Sequence, residues 1–186
     1  MESFSAAICS TSRPARHSLV SDVRRSHLIE ALCALADNGV QFVVAGGAAM
    51  LLYGFKRMTL DLDIAVAPDA PNLRRFITTL DGLKFIPRAP LPANTILNRE
   101  LMARLVQEKN ALVFSFWRPD APYIQVDIFL TRENSFERLA SDARVVMVDG
   151  RSVLVASRPK LIEMKRRVKP IRDTDLNDIE ALELIG

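Results

Sequence analysis

The segment Val43-Val44-Ala45-Gly46-Gly47-Ala48-Ala49-Met50 precedes Arg57-Met58-Thr59-Leu60-Asp61-Leu62-Asp63-Ile64-Ala65-Val66, and the two together decide the fold. The first segment predicts a short buried strand that ends in two glycines and continues as a helix. The second predicts a strand on which Asp61 and Asp63 share one face, because side chains alternate across a strand. We therefore expect a buried apolar face and an open acidic face.

Two carboxylates on one face of a strand repel each other, and folding alone gives no reason for them. A divalent cation would relieve that repulsion, and Mg²⁺ is bound in proteins through carboxylates together with substrate phosphates. Mn²⁺ suits the same oxygen ligands. Gly46 and Gly47 fit this picture, because a backbone without Cβ can approach a phosphate closely. The pattern indicates a site for a metal and a nucleotide.

The pattern resembles the signature of the nucleotidyltransferase superfamily, whose core is similar to the DNA polymerase β palm. Gly46-Gly47 and Asp61-Leu62-Asp63 are separated by thirteen residues. Together with Gly54, Arg57 and Thr59 they are similar to the branch of the AbiEii-type toxins and the small stand-alone nucleotidyltransferases. The superfamily expects a third carboxylate on a later strand, which Asp127 supplies. Its late pair of helices resembles residues 161–165, 172–173 and 178–179 of this chain.

The resemblance implies a single α/β (α+β) domain with a mixed β-sheet and helices packed on it. It also implies a Mg²⁺-dependent (Mn²⁺ is possible) transfer of a nucleoside monophosphate from a nucleoside triphosphate such as ATP to an acceptor hydroxyl. That acceptor is a protein, a tRNA or a small molecule, and a cognate toxin or antitoxin chain is a further expected partner. The resemblance assigns metal binding and catalysis to Asp61, Asp63 and Asp127. It assigns nucleotide binding to Gly46, Gly47, Arg57, Thr59 and Lys165.

Other interpretations of these residues remain open. Arg57 is equally well explained as a surface cation, and an isolated Asp127 as an exposed strand residue. Capping of a helix start accounts for the acids at 173, 175 and 178 without a metal, and a solvated helix face accounts for most of the basic run at 160–169. Many active relatives have Ser where this chain has Gly47.

The main alternative function is a catalytically silent module that binds a partner chain. A metal-dependent phosphohydrolase is a weaker alternative, because the usual His-Asp pairs are missing.

Composition narrows the classes of protein to which this chain can belong. The chain has 186 residues with 25 basic and 22 acidic side chains, a net charge of +3 that permits a nucleic-acid partner without arguing for one. No apolar run approaches the ~20 residues of a membrane span. Cys9 and Cys33 suggest neither a disulfide framework nor a metal site, and a cytoplasmic location is expected. No Walker-type motif is present. Residues 1–20 are expected to be a disordered leader before a domain at 21–186.

Periodicity and punctuation predict the remaining elements. A helix is expected between Ser21-Asp22 and Asn38-Gly39, and an Asp149-Gly150 turn is expected to join two strands as a hairpin. Pro170 is expected to separate the last two helices. The other expected elements are strands at 40–45, 83–86, 111–117 and 123–130, with a longer loop at 118–122, and helices at 48–53, 72–80, about 99–109, 161–168 and 173–185.

Overall fold

The computed structural model describes residues 16–184, with side chains described from residue 27 onward. The described part contains seven α-helices and seven β-strands. In chain order they are α1 (Arg16–Asp37), β1 (Phe42–Val44), α2 (Gly46–Leu52), β2 (Asp61–Val66), α3 (Ala70–Gly82), β3 (Ile86–Pro87), α4 (Arg99–Lys109), β4 (Val113–Arg118), β5 (Ala121–Phe129), α5 (Phe136–Ala140), β6 (Arg144–Val148), β7 (Arg151–Val155), α6 (Arg158–Arg167) and α7 (Asp173–Leu184).

All seven strands form one mixed sheet in the order β3-β4-β5-β2-β1-β7-β6. The central strand β2 pairs in parallel with β5 and antiparallel with β1, and β1 pairs in parallel with β7. This arrangement confirms the predicted single α/β domain with a mixed sheet. It also places β2, which carries Asp61 and Asp63, at the centre. Its neighbours are β5, which carries Asp127, and β1, which leads into Gly46-Gly47.

One face of the sheet is filled by the hydrophobic core. Leu62 and Ile64 of β2 are almost completely buried, as expected for the face opposite the two aspartates. Phe76 of α3 contacts Phe116 of β4 edge to face, with ring centroids 5.6 Å apart, so α3 covers this side. Each such buried side chain contributes about 1.5–3 kcal/mol of hydrophobic stabilisation. The core therefore fixes which way the alternating aspartates point.

Several predicted elements are confirmed with small shifts in their bounds. Asp149 and Gly150 both have positive φ, 47° and 80°, as a two-residue hairpin turn requires. Ser157 accepts a hydrogen bond from the backbone N–H of Lys160 and so caps α6. α4 begins at Arg99 and ends at Lys109, where the pattern placed it. Among the described helices, none combines the length and apolar character needed to cross a membrane.

Other predictions were wrong in detail. α1 begins at Arg16 instead of at Ser21-Asp22, because no proline or glycine interrupts residues 16–37. The expected leader therefore includes helical residues at 16–20, and its residues 1–15 lie outside the described residues, as does Cys9. The expected loop at 118–122 is a tight turn, since Arg118 already pairs with Ala121. The short helix α5 was not predicted.

Candidate active site

The pairing of β2 with β5 brings the three predicted carboxylates to one face of the sheet. Asp63 lies directly beside Asp127, and Asp61 lies beside Gln125, in parallel register. Asp61 is exposed, Asp63 is half-buried, and only 8% of Asp127 is exposed. The interpretation of Asp127 as an exposed strand residue is therefore wrong. A half-buried group of like charges at the centre of the sheet is the core of the candidate site.

The pKa values of the acids reflect this crowding. Burial, together with the charges of Asp127 and Asp61, raises the pKa of Asp63 to about 6, while the hydrogen bond from Gly47 and the charge of Lys165 act in the opposite direction. Burial also raises the pKa of Asp61, together with the charge of Asp127, while Arg88 lowers it. These shifts mean that burial and the repulsion between the acids both disfavour the ionised carboxylates. A bound cation would remove that penalty.

The double glycine packs against Asp63. Gly46 has a φ of +58°, in the left-handed region that favours glycine, and a Cβ at this position would overlap the Asp63 carboxylate. The backbone N–H of Gly47 donates a hydrogen bond to Asp63. A Cβ on Gly47 would lie 2.7 Å from the Thr59 hydroxyl oxygen. Thr59 therefore occupies the space into which a serine side chain at position 47 would project, and its hydroxyl donates to the Asp61 backbone carbonyl at 3.2 Å.

Arg57 and Lys165 lie together in a cluster of opposite charges beside Asp63. Both form ion pairs with Asp178, and Lys165 Nζ is 3.7 Å from the Asp175 carboxylate. Arg172 binds Asp175 through two hydrogen bonds of 2.6 and 3.0 Å. Three cations face two carboxylates in this cluster, which leaves one positive charge in excess. The charges of Arg57, Lys165 and Arg172 all act on Asp63.

The explanation of the α7 acids by helix capping was wrong for Asp178 and incomplete for Asp175. Asp175 does accept a backbone hydrogen bond from Arg172 at the helix start. However, only 1% of Asp175 and 8% of Asp178 are exposed, and their partners are the cations of this cluster, Arg172 for Asp175 and Lys165 with Arg57 for Asp178. Lys165 itself is buried, and burial together with the charge of Arg57 lowers its pKa to about 8.

Sequence reasoning missed two residues of the site. The side-chain amide of Gln125 donates to both carboxylate oxygens of Asp127, at 3.1 and 3.0 Å. Arg88 donates to the Gln125 carbonyl oxygen at 2.6 Å. Gln125 could have been found from its position two residues before Asp127 on the same strand face. No pattern in the sequence links Arg88 to the site, because Arg88 follows β3 and reaches Gln125 of β5 across β4.

The donor set suits a hard divalent cation, since it consists of carboxylate oxygens whose mutual repulsion a cation relieves. Asp63 and Asp127 offer adjacent carboxylates, and Asp61 offers an exposed one. Within residues 27–184, no three His, Cys, Asp or Glu side chains are already arranged as a complete metal site. The Asp63 carboxylate accepts a hydrogen bond from the backbone N–H of Gly47, and the Asp127 carboxylate accepts from the side-chain amide of Gln125.

A cavity of about 790 Å³ lies at the C-terminal ends of β2 and β5. Its lining includes Val66, Leu73, Met102, Ile128 and Leu130. It contains none of the three aspartates, so it is separate from the candidate site.

Comparison with known proteins gives the fold class. No protein-family model and no curated protein sequence matches the chain. Solved structures do match, and they include a nucleotidyltransferase-like antigenic protein from Paracoccidioides brasiliensis (TM-score 0.53, 15% identity, 89% of this chain and 78% of that one). The antibiotic-resistance factor ANT(2'')-Ia matches with a TM-score of 0.55 and 15% identity over 89% of this chain and 86% of that one. The lincosamide antibiotic adenylyltransferase LnuA matches with a TM-score of 0.50 and 15% identity over 92% and 98%.

These likenesses show that the chain has the fold of nucleotidyltransferase-like proteins. At 15% identity they show the fold alone, because one fold can support several functions. The similarity to the AbiEii-type branch remains a prediction from the sequence.

Proposed function

We propose that this protein is a Mg²⁺-dependent nucleotidyltransferase that moves a nucleoside monophosphate from a nucleoside triphosphate to an acceptor hydroxyl. The observation that carries the proposal is the parallel register of Asp63 with Asp127, next to the glycine turn that packs on Asp63. In this proposal the acids would meet the triphosphate and the acceptor together. The nucleotidyltransferase-like fold supports the same reaction class.

Asp61, Asp63 and Asp127 would hold the metal. When bound, it would neutralise the carboxylates and the phosphate oxygens and stabilise charge on both sides of an in-line displacement. Gly46 and Gly47 would allow the phosphates to approach the backbone closely, because neither has a side chain in the way. Arg57 and Lys165 would contribute positive charge from their cluster with Asp178 as negative charge grows on the leaving group. The protein thus supplies position and electrostatics and no covalent nucleophile.

The proposed reaction balances with Asp127 as the proton acceptor. The acceptor oxygen attacks the α-phosphorus and forms a new P–O bond, while the bond from the α-phosphorus to the bridging oxygen breaks. Pyrophosphate leaves with that electron pair. Asp127 takes the proton of the acceptor hydroxyl and later releases it to water.

For the acceptor, a small hydroxyl-bearing molecule is the first candidate. One neighbour, ANT(2'')-Ia, has a structure with adenylyl-2''-tobramycin, and LnuA has one with lincomycin. The support is analogy at the level of the fold. Protein and tRNA acceptors, and a cognate toxin or antitoxin chain, have no comparable support from these neighbours.

The test is transfer of radiolabel. Purified protein is incubated with Mg²⁺ and each α-³²P-labelled nucleoside triphosphate, first with cell extract and then with a panel of hydroxyl-bearing antibiotics. We expect label on an acceptor with the wild type, and loss of at least about 100-fold with Asp127→Asn. Asp81→Asn, the same change at an exposed position of α3, serves as the matched control and should transfer at the wild-type rate. No transfer with any nucleotide, together with a tightly co-purifying protein chain, would favour the silent binding module instead.

A further inference from the structure

We infer that Gln125 and Arg88 form a positioning chain that fixes the Asp127 carboxylate for metal binding. The inference rests on the proposed function, since Asp127 needs positioning only if it binds the metal. The chain consists of two links, Arg88 to Gln125 at 2.6 Å and Gln125 to both oxygens of Asp127 at 3.1 and 3.0 Å. Gln125 is half-buried, and Arg88 is exposed.

The chemistry of the three groups allows only one arrangement. A guanidinium can only donate hydrogen bonds, and an ionised carboxylate can only accept them. The amide of Gln125 links the two because it accepts from Arg88 through Oε1 and donates to Asp127 through Nε2. If the amide turned over, it would place its oxygen against the Asp127 carboxylate and its N–H groups against Arg88. Arg88 therefore locks the amide in the orientation that holds Asp127.

No other side chain of this length both accepts from Arg88 and donates to Asp127. Glutamate at position 125 would keep the contact with Arg88 but would repel Asp127, and methionine would bind neither. The backbone of Arg88 is held as well, since its N–H donates to the Ser115 carbonyl at 2.9 Å. The positioning chain is thus anchored to β4 at Arg88 and ends at the Asp127 carboxylate.

The positioning chain lies apart from the residues that are proposed to bind the triphosphate. In the sheet order, Arg88 belongs to the β3 and β4 side of β5, whereas Gly46 follows β1 on the other side of β2. Arg57 and Lys165 are paired with Asp178 and do not contact this chain. We therefore expect loss of Gln125 or Arg88 to weaken metal binding at Asp127 and to leave binding of the triphosphate nearly unchanged.

The test measures Mn²⁺ binding by electron paramagnetic resonance, with the α,β-methylene analogue of ATP present so that no transfer occurs. We expect Gln125→Met and Arg88→Met each to weaken Mn²⁺ binding by about 10- to 100-fold, as loss of such supporting hydrogen bonds does at metal sites. Arg88→Lys should recover part of the loss, because it restores a donor. At saturating Mg²⁺, affinity for the analogue should stay within about 3-fold of the wild type.

Gln107→Met and Arg74→Met make the same changes at exposed positions of α4 and α3 and should bind Mn²⁺ like the wild type. If Gln125→Met binds Mn²⁺ as tightly as the wild type, the positioning chain is refuted while the proposed function stands. Weaker Mn²⁺ binding in Arg88→Met but not in Gln125→Met would also refute it, because Arg88 would then act without Gln125. A wild type that binds neither Mn²⁺ nor the analogue would refute the proposed function. Arg88 lies outside the strands, so its variants keep the test valid if Gln125→Met fails to fold.

Discussion

Asp63→Asn should stabilise the protein in the absence of metal while it abolishes nucleotidyl transfer. The pKa of Asp63 is raised from 3.8 to about 6, chiefly by burial and then by the charges of Asp127 and Asp61. Between these two pKa values the folded state holds a proton that the unfolded state has released. Wild-type stability therefore falls as the pH rises through this window, and it stays low above it. Asparagine has no charge to bury, so the variant escapes the penalty.

The size of the effect follows from the pKa shift. A difference of about 2 pKa units at about 1.4 kcal/mol each gives a penalty near 3 kcal/mol above pH 7. The same linkage relation predicts about 1–2 kcal/mol at pH 5 and less than about 1 kcal/mol at pH 4, which is close to the pKa of the unfolded state. The asparagine oxygen can still accept the hydrogen bond from Gly47, so we expect a measured gain of about 1–3 kcal/mol at pH 8.

Urea unfolding in the presence of EDTA, repeated from pH 4 to pH 8, measures this gain. The free energy of unfolding of Asp63→Asn relative to the wild type should rise with pH across the range. Asp81→Asn, on the surface of α3, should show no comparable rise. A variant that is less stable than the wild type at pH 8, or a gain that does not depend on pH, would refute the argument that the ionised Asp63 is buried at a cost.

Two further predictions concern the glycine turn and the buried lysine. Gly46→Ala should lower the free energy of unfolding by about 2 kcal/mol or more and abolish transfer, because alanine is strained at this φ and its Cβ displaces Asp63. Gly39→Ala, at a similar φ with nothing within 4 Å, should cost only about 1 kcal/mol, and equal costs in urea unfolding would contradict the packing argument. Lys165→Met should slow transfer by about 100-fold, whereas the exposed Arg166→Met should not, and a transfer assay with equal rates for both would exclude Lys165 from the site.

The sequence predicted the elements whose signals are local. Period-two alternation in residues 60–66 is enough to place Asp61 and Asp63 on one face, because the apolar residues between them must be buried. The hairpin at Asp149-Gly150 was equally clear, since few residue pairs adopt two positive φ values. The pairing of β5 with β2 is not local, and the resemblance to a known superfamily supplied only the expectation of a third carboxylate, Asp127, on a later strand.

The parts of the site that were missed depend on long-range contacts. In the sequence, Asp178 looks like an acid near a helix start, and only the packing of α7 on α6 shows that it binds Lys165. Arg88 is separated from Gln125 by 37 residues and reaches it across an intervening strand. Such pairs leave no periodic trace in a single sequence, because each partner alone resembles an ordinary surface residue.

The most direct test of the central claim is a crystal structure of the protein soaked with Mn²⁺ and the α,β-methylene analogue of ATP. The account predicts an anomalous peak for Mn²⁺ between the carboxylates of Asp61, Asp63 and Asp127, with the triphosphate toward Gly46 and Gly47. A nucleotide bound elsewhere, or Mn²⁺ that contacts none of the three aspartates, would contradict it.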